Sequence, residues 1–337
     1  MELQKIYSEE SRLVKAFAES RIGGRSENQD SFGWADTPRG YLVTVCDGMG
    51  GGPGGKTAST IAVREITDFI MNASKEEEIS NILIKAIRKA NMAILEAGNE
   101  NPSLRGMGST ATVLLITEDC AYTAHVGDSR IYQLRGREKV FRTFDHSMVF
   151  EMVEQGIITE EQARLSAQSN VITRALGIRN ELEVEVHAIP YEKGDRFLLC
   201  SDGIHGSLPE KQLIQMAADR KNKLGVVADN IATFIDNIGR NSGGGHDNLT
   251  IAMVQTTINS NQKTKMTRNA RYIIAILGAL LMLSIACNIF LPRGGGESQK
   301  TVAVLRDSVK MQADTIANLR KSISEFPTKE IKTNANK

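Results

Sequence analysis

Short apolar runs closed by turns of small residues dominate the first 256 positions. Residues 41–46, 111–117, 197–200 and 249–254 are near-continuous apolar stretches of strand length. Residues 182–189 (LEVEVHAI) alternate apolar and polar, as a half-buried strand does. The stretch CAYTAHVGDSRIYQLRG sets two β-rich arms around Gly127-Asp128-Ser129, which predicts a hairpin. Helical periodicity runs over 57–71, 79–97 and 210–238. A strict strand–helix alternation is absent, so the pattern predicts helices packed outside antiparallel sheets in one domain, residues 11–256.

The pattern changes near the end of the chain. Residues 272–291 (YIIAILGALLMLSIACNIFL) carry no charge and match the length needed to cross a bilayer. Lys263, Lys265, Arg268 and Arg271 stand before this stretch without an acidic residue among them, and Arg293 alone follows closely. Cytoplasmic flanks carry the basic excess, so residues 1–271 are expected inside and 292–337 outside, with 257–271 a basic juxtamembrane linker. In the tail, Val302, Leu305, Val309, Gln312, Ile316, Leu319 and Ile323 repeat at 3-4 spacing. That seam reads as a coiled coil over 302–323 joining two copies, or as one amphipathic helix on a partner or membrane.

A net charge of +1 gives no argument for nucleic-acid binding. The first 17 residues have no apolar core of a secretory leader. Cysteines 46, 120, 200 and 287 show no metal-type spacing and read as buried thiols in a reducing compartment.

Three of the apolar runs deliver an aspartate into a turn: VTVCD with Asp47, FLLCSD with Asp202 and GGGHD with Asp247. Each alone is an ordinary turn, since Asp and Gly favour those dihedrals. Brought together they would repel one another unless divalent cations, which prefer oxygen ligands, held them. Arg25-Ser-Glu-Asn-Gln-Asp30 adds a guanidinium fork suited to a phosphate dianion and a carboxylate to orient water. A rival chemistry is legible in Gly50–Thr57 (GGGPGGKT), which fits the phosphate-cradling P-loop of an NTPase. That reading leaves Arg25, Asp30 and Asp247 without a task.

The ordered series RSENQD (25–30), DGMGGG (47–52), MGST (107–110), GDSR (127–130), SDG (201–203) and DN (247–248) resembles the bacterial type 2C metal-dependent serine/threonine phosphatases. FDHSMVFEMVEQGIITEEQA and NVITRALG are similar to the family's middle region. The resemblance spans about residues 13–255. It implies an α+β fold of two stacked antiparallel sheets with helices on both outer faces. It also implies two Mg²⁺ or Mn²⁺ ions, with Asp47 bridging them, the Gly48 carbonyl as a further ligand, and Asp202 and Asp247 completing the set. Asp30 would then hydrogen-bond water on the metals and Arg25 would hold the substrate phosphate, while Asp128 is read as structural, fixing the hairpin.

The implied reaction is hydrolysis of phosphoserine and phosphothreonine in cytoplasmic proteins by a water bridging the two ions. A cognate serine/threonine kinase is implied with it, and the apolar stretch 272–291 adds a bacterial cell-membrane location. Against this stand the P-loop NTPase and a catalytically inactive phosphoprotein-binding module. Two departures from relatives stand out. Met49 occupies a position where some carry a histidine acid, and Leu104–Met107 offers no carboxylate for a third ion. The flap that shapes substrate choice in this family maps to about residues 146–180.

Overall fold

In the computed structural model, residues 4–50 and 53–261 are described. The chain opens with β1 (Gln4–Glu10), β2 (Val14–Arg21), β3 (Ser31–Thr37), β4 (Gly40–Cys46) and the two-residue β5 (Gly48–Met49). Two long helices follow, α1 (Gly54–Met71) and α2 (Ile79–Glu100). Next come β6 (Gly108–Ser109), β7 (Ala111–Ile116), β8 (Ala121–Val126), β9 (Arg130–Arg135) and β10 (Glu138–Arg142). The short helices α3 (Met148–Glu154) and α4 (Glu160–Arg164) precede β11 (Glu185–Ile189) and β12 (Arg196–Cys200). The last elements are α5 (Asp202–His205), α6 (Glu210–Ala217), α7 (Leu224–Asn241) and β13 (Leu249–Thr256).

These strands form two antiparallel sheets, in the orders β1-β2-β13-β12-β9-β10 and β11-β8-β7-β4-β3, with β5 and β6 as a separate small pair. The near-continuous apolar runs follow from burial on both strand faces. Val43, Val45, Leu114, Ile116, Phe197, Leu199, Ala252 and Val254 face the layer between the sheets. Their neighbours Leu42, Val113 and Leu115 turn outward onto α1 and α2, where Ile66, Ile70, Ile82 and Ile87 meet them. Leu198, Ile251 and Met253 turn outward onto α6 and α7, meeting Leu213, Val227, Ile231 and Ile235. Alternation of period two on a two-faced strand thus gives helix–sheet–sheet–helix layering. The α+β fold with antiparallel sheets flanked by helices is the one expected.

Two expectations fail. The arms around Gly127-Asp128-Ser129 are not a hairpin: β8 pairs with β7 and β11, whereas β9 pairs with β10 and β12 in the other sheet. The turn is a crossover between layers. Arms buried on both faces serve either arrangement, so local turn chemistry could not choose between them. The helical stretch 210–238 is two helices, broken where the Asp219 carboxylate accepts the Lys221 amide at 2.8 Å and the Asn222 side chain at 2.8 Å.

Cys46, Cys120 and Cys200 are free and buried, as expected. Among the described residues no helix is long and apolar enough to cross a membrane. The expected span 272–291, the seam 302–323 with its homodimer, most of the linker and Cys287 lie outside the described residues.

Candidate active site

One end of the sandwich gathers the candidate residues because strand pairing brings their turns together. Cys200 on β12 lies opposite Ile251 on β13, and Leu249 lies opposite Arg21 at the end of β2. Cys46 on β4 lies opposite Ser31 on β3. Asp202 follows β12, Asp247 precedes β13, Arg25 follows β2, and Asp30 and Asp47 adjoin the paired ends of β3 and β4. Arg25, Asp47, Gly48, Asp202 and Asp247 all line one cleft of about 440 Å³. Asp30 is 1 % exposed and sits behind the cleft floor, its Oδ2 accepting the Ser201 hydroxyl at 2.8 Å.

Backbone bracing holds the arrangement. The Asp47 amide donates to Thr110 Oγ1 at 2.9 Å, and the Thr110 amide donates to the Asp47 carbonyl at 2.8 Å. Asn248 accepts the Gln29 amide at 2.8 Å and donates to the carbonyls of Ile22 and Glu27, tying the Arg25 loop to β13. Gly48 must be glycine because a Cβ there would lie 2.0 Å from the Gly55 carbonyl oxygen.

The charge balance is strongly acidic. Among the described residues, the cleft lining sets Glu27, Asp47, Asp128, Asp202 and Asp247 against Arg25 as its one cation. Arg25 Nη2 pairs with Asp247 Oδ2 at 2.9 Å, both side chains being partly exposed. Burial first, then the charges of Asp202 and Asp247, push the Asp30 carboxyl up to about 7 against the pull of its hydrogen bonds. Burial and Asp247 push Asp202 up to about 6. Asp47 and Asp128 are also raised well above the usual range, by burial and by their acidic neighbours. Among the described residues, none gives the buried Asp202 Oδ1 a hydrogen bond. Carboxylates that repel one another and leave a buried oxygen unsatisfied fit hard divalent cations, which supply both the charge and the missing bond.

Asp128 corrects the sequence reading. It lines the same cleft, because its turn crosses between the sheets at this end of the molecule. The carboxylate in GDSR was the available signal, and the assumed hairpin hid it. Thr110, Asn170 and Ile172 also line the cleft, the last two from the flap region that offered no sequence code. The P-loop reading finds no support in the fold. Lys56 is the third residue of α1, and its Nζ donates to the Asp30 carbonyl at 2.8 Å and to Ser31 Oγ at 3.3 Å. A larger groove of about 570 Å³ along β3 and α1, bordered by Asp30, lacks the converging carboxylates.

Similarity to known proteins agrees with this site. The family model described as protein phosphatase 2C matches residues 19–233. The serine/threonine phosphatase stp of Listeria innocua is 32% identical over 238 residues, covering 69% of this chain and 92% of that protein. The solved serine/threonine phosphatase of S. agalactiae is 31% identical with a TM-score of 0.63, covering 73% of this chain and 100% of its own. The catalytic domain of the serine/threonine protein phosphatase PstP, solved with two manganese ions, is 28% identical with a TM-score of 0.60 over 73% of this chain and 99% of its own. The cleft and these similarities lead to one assignment: the chain belongs to the protein phosphatase 2C family.

Proposed function

We propose that this protein is a metal-dependent serine/threonine phosphatase, hydrolysing phosphoserine and phosphothreonine in proteins with two Mg²⁺ or Mn²⁺ ions. The observation that carries the reading is the convergence of Asp47, Asp202 and Asp247 on one cleft beside Arg25. When bound, the two ions supply Lewis-acid activation of water and neutralise charge on the phosphoryl oxygens. The Asp47, Asp202 and Asp247 carboxylates and the Gly48 carbonyl are the protein groups that would hold them.

The remaining steps fall to the chain's own residues. Arg25 keeps Nη2 on Asp247 Oδ2 at the cleft wall, and its other N–H groups would hold a phosphate dianion there. Asp30, fixed by Ser201 behind the cleft floor, would hydrogen-bond and orient water at the metals. Cys46 adjoins Asp47 but is no nucleophile, because it is fully buried and burial pushes its thiol far up. Water is the proposed nucleophile, attacking without a phosphoenzyme. With Met49 where a histidine acid would stand, the leaving oxygen would take its proton from water or another group.

The test uses the full-length protein with an aryl phosphate and a phosphothreonine peptide, in Mn²⁺ and in EDTA. Phosphate release that requires Mn²⁺ and survives Lys56→Ala is expected. Release unaffected by EDTA, or ATP hydrolysis lost in Lys56→Ala, would overturn the assignment. The kinase that supplies the phosphoprotein is the natural counterpart of such an enzyme. The uncharged stretch 272–291 with its basic flank supports a single-pass membrane anchor and a cytoplasmic catalytic domain. A reporter fused after Lys337 and recovered in the cytoplasm would refute that topology.

A further inference from the structure

Three of the five histidines, which show no common spacing in sequence, meet around one glutamate on the edge strand β11. Glu185 lies directly opposite His125 of β8, and His187 sits two residues further along β11. Glu185 Oε2 is 3.3 Å from His146 Nε2, and Glu185 Oε1 is 2.6 Å from His187 Nε2. The rings of His125 and His146 stack with centroids 4.5 Å apart. His125 is wholly buried and His146 is 7 % exposed.

Two histidines and a carboxylate could make a zinc site, but the protons are in the wrong places. The Gly127 amide donates to His146 Nδ1 at 3.1 Å, so the neutral ring carries its proton on Nε2 and donates it to Glu185. His125 Nε2 faces the Phe144 carbonyl at 2.8 Å and is likewise a donor. A cation would need a lone pair from His146, whose one lone pair is already taken by the Gly127 amide. The cluster is instead arranged to orient His146. Burial alone would raise the Glu185 carboxyl, yet the hydrogen bonds from His146 and His187 outweigh it and hold the group ionised, well below the usual range.

What His146 holds in turn is the crossover that carries Asp128. Its side chain accepts the Gly127 amide, and its own amide donates to the Gly127 carbonyl at 3.0 Å. One residue thus pins both polar groups of Gly127, whose φ of +102° only glycine adopts readily. The next residue, Asp128, lines the catalytic cleft. On its other side the His146 carbonyl accepts the Thr173 amide at 2.8 Å, one residue beyond Ile172 of the cleft wall.

We infer that Glu185 and His146 are positioning residues: the carboxylate fixes the imidazole, the imidazole fixes Gly127, and Gly127 sets Asp128 at the cleft. The inference rests on the phosphatase reading for its effect on rate, but not for its structural part. His146→Asn keeps an acceptor oxygen near the position of Nδ1, whereas His146→Leu removes it. In the full-length protein with Mn²⁺, His146→Leu should lose about tenfold or more in kcat/KM on a phosphothreonine peptide, the scale expected when a cleft group is displaced. His146→Asn should recover most of that loss. On an Asp128→Asn background, His146→Leu should add little, since both act through one carboxylate.

Amide exchange at Gly127 supplies a readout independent of catalysis. It should accelerate in His146→Leu and in Glu185→Gln, and stay near wild type in His146→Asn. Additive losses in the double variant, a His146→Asn no better than His146→Leu, or unchanged Gly127 exchange would each overturn the inference. Stoichiometric zinc in the wild type that vanishes in Glu185→Gln would overturn it too, making the cluster a metal site. Absent phosphatase activity with the exchange pattern intact would refute the enzymatic reading and leave the positioning chain standing.

Discussion

Asp47→Asn is expected to lower Mn²⁺-dependent kcat on a phosphothreonine peptide by at least about 100-fold, the scale seen when one group that stabilises developing charge is removed. Asparagine preserves the shape and leaves the backbone bracing intact. The Asp47 amide still donates to Thr110 Oγ1, and Thr110 still donates to the residue 47 carbonyl. What disappears is the charge at the centre of the acidic set, where Asp30, Asp202, Asp128 and Asp247 all act on Asp47. The same substitution should stabilise the metal-free protein, because it removes a buried carboxyl that its neighbours disfavour in ionised form. A gain near 1 kcal/mol would raise the melting temperature by about 2–4 °C in a domain of this size. Kinetics in Mn²⁺ and melts in EDTA separate the two effects. Activity within threefold of wild type would remove Asp47 from the site, and a lower melting temperature in EDTA would show that the carboxylates do not repel as inferred.

That opposition between stability and function explains why the site was legible in the sequence as a set and not residue by residue. Asp47, Asp202 and Asp247 each follow or precede a two-faced strand, and those strands were readable because apolar runs of that length must be buried on both sides. Their convergence depended on pairings such as Cys200 with Ile251, which no local pattern encodes. Asp128 shows the cost of reading locally. The Gly127 turn looks the same whether it closes a hairpin or crosses between sheets, and only the second places Asp128 in the cleft.

The histidine cluster was invisible for a related reason. His125, His146 and Glu185 come from β8, the loop before α3 and β11, so their meeting is a property of register and not of spacing. The split of 210–238 into α6 and α7 was missed because Asp219 ends one helix through its own backbone contacts, without a proline or glycine at the break.

The repulsion inside the site should also make the benefit of metal depend on pH. Asp30 and Asp202 are raised to about 7 and about 6 from an ordinary 3.8, so in the folded, metal-free protein their protons are retained after the unfolded chain has lost its own. Protonated carboxyls therefore favour the fold below about pH 4, and that contribution is lost as pH rises through 6 and 7. Cations reverse the sign by preferring the ionised set, and they must displace those protons when pH is low. At pH 8, Mn²⁺ at about 100 times its dissociation constant should add about 2.7 kcal/mol, or roughly 5–10 °C in melting temperature. At pH 5.5 the same Mn²⁺ concentration should add much less. The informative quantity is the difference between melts in Mn²⁺ and in EDTA at each pH, since titrating groups elsewhere in the fold cancel from it. A gain equal at both pH values would mean that the metal does not compete with protons on these aspartates, and the two-metal reading of Asp47, Asp202 and Asp247 would fall with it. A gain that grows with pH in wild type and flattens in Asp202→Asn would tie the effect to the carboxylate whose buried Oδ1 finds no hydrogen-bond partner among the described residues.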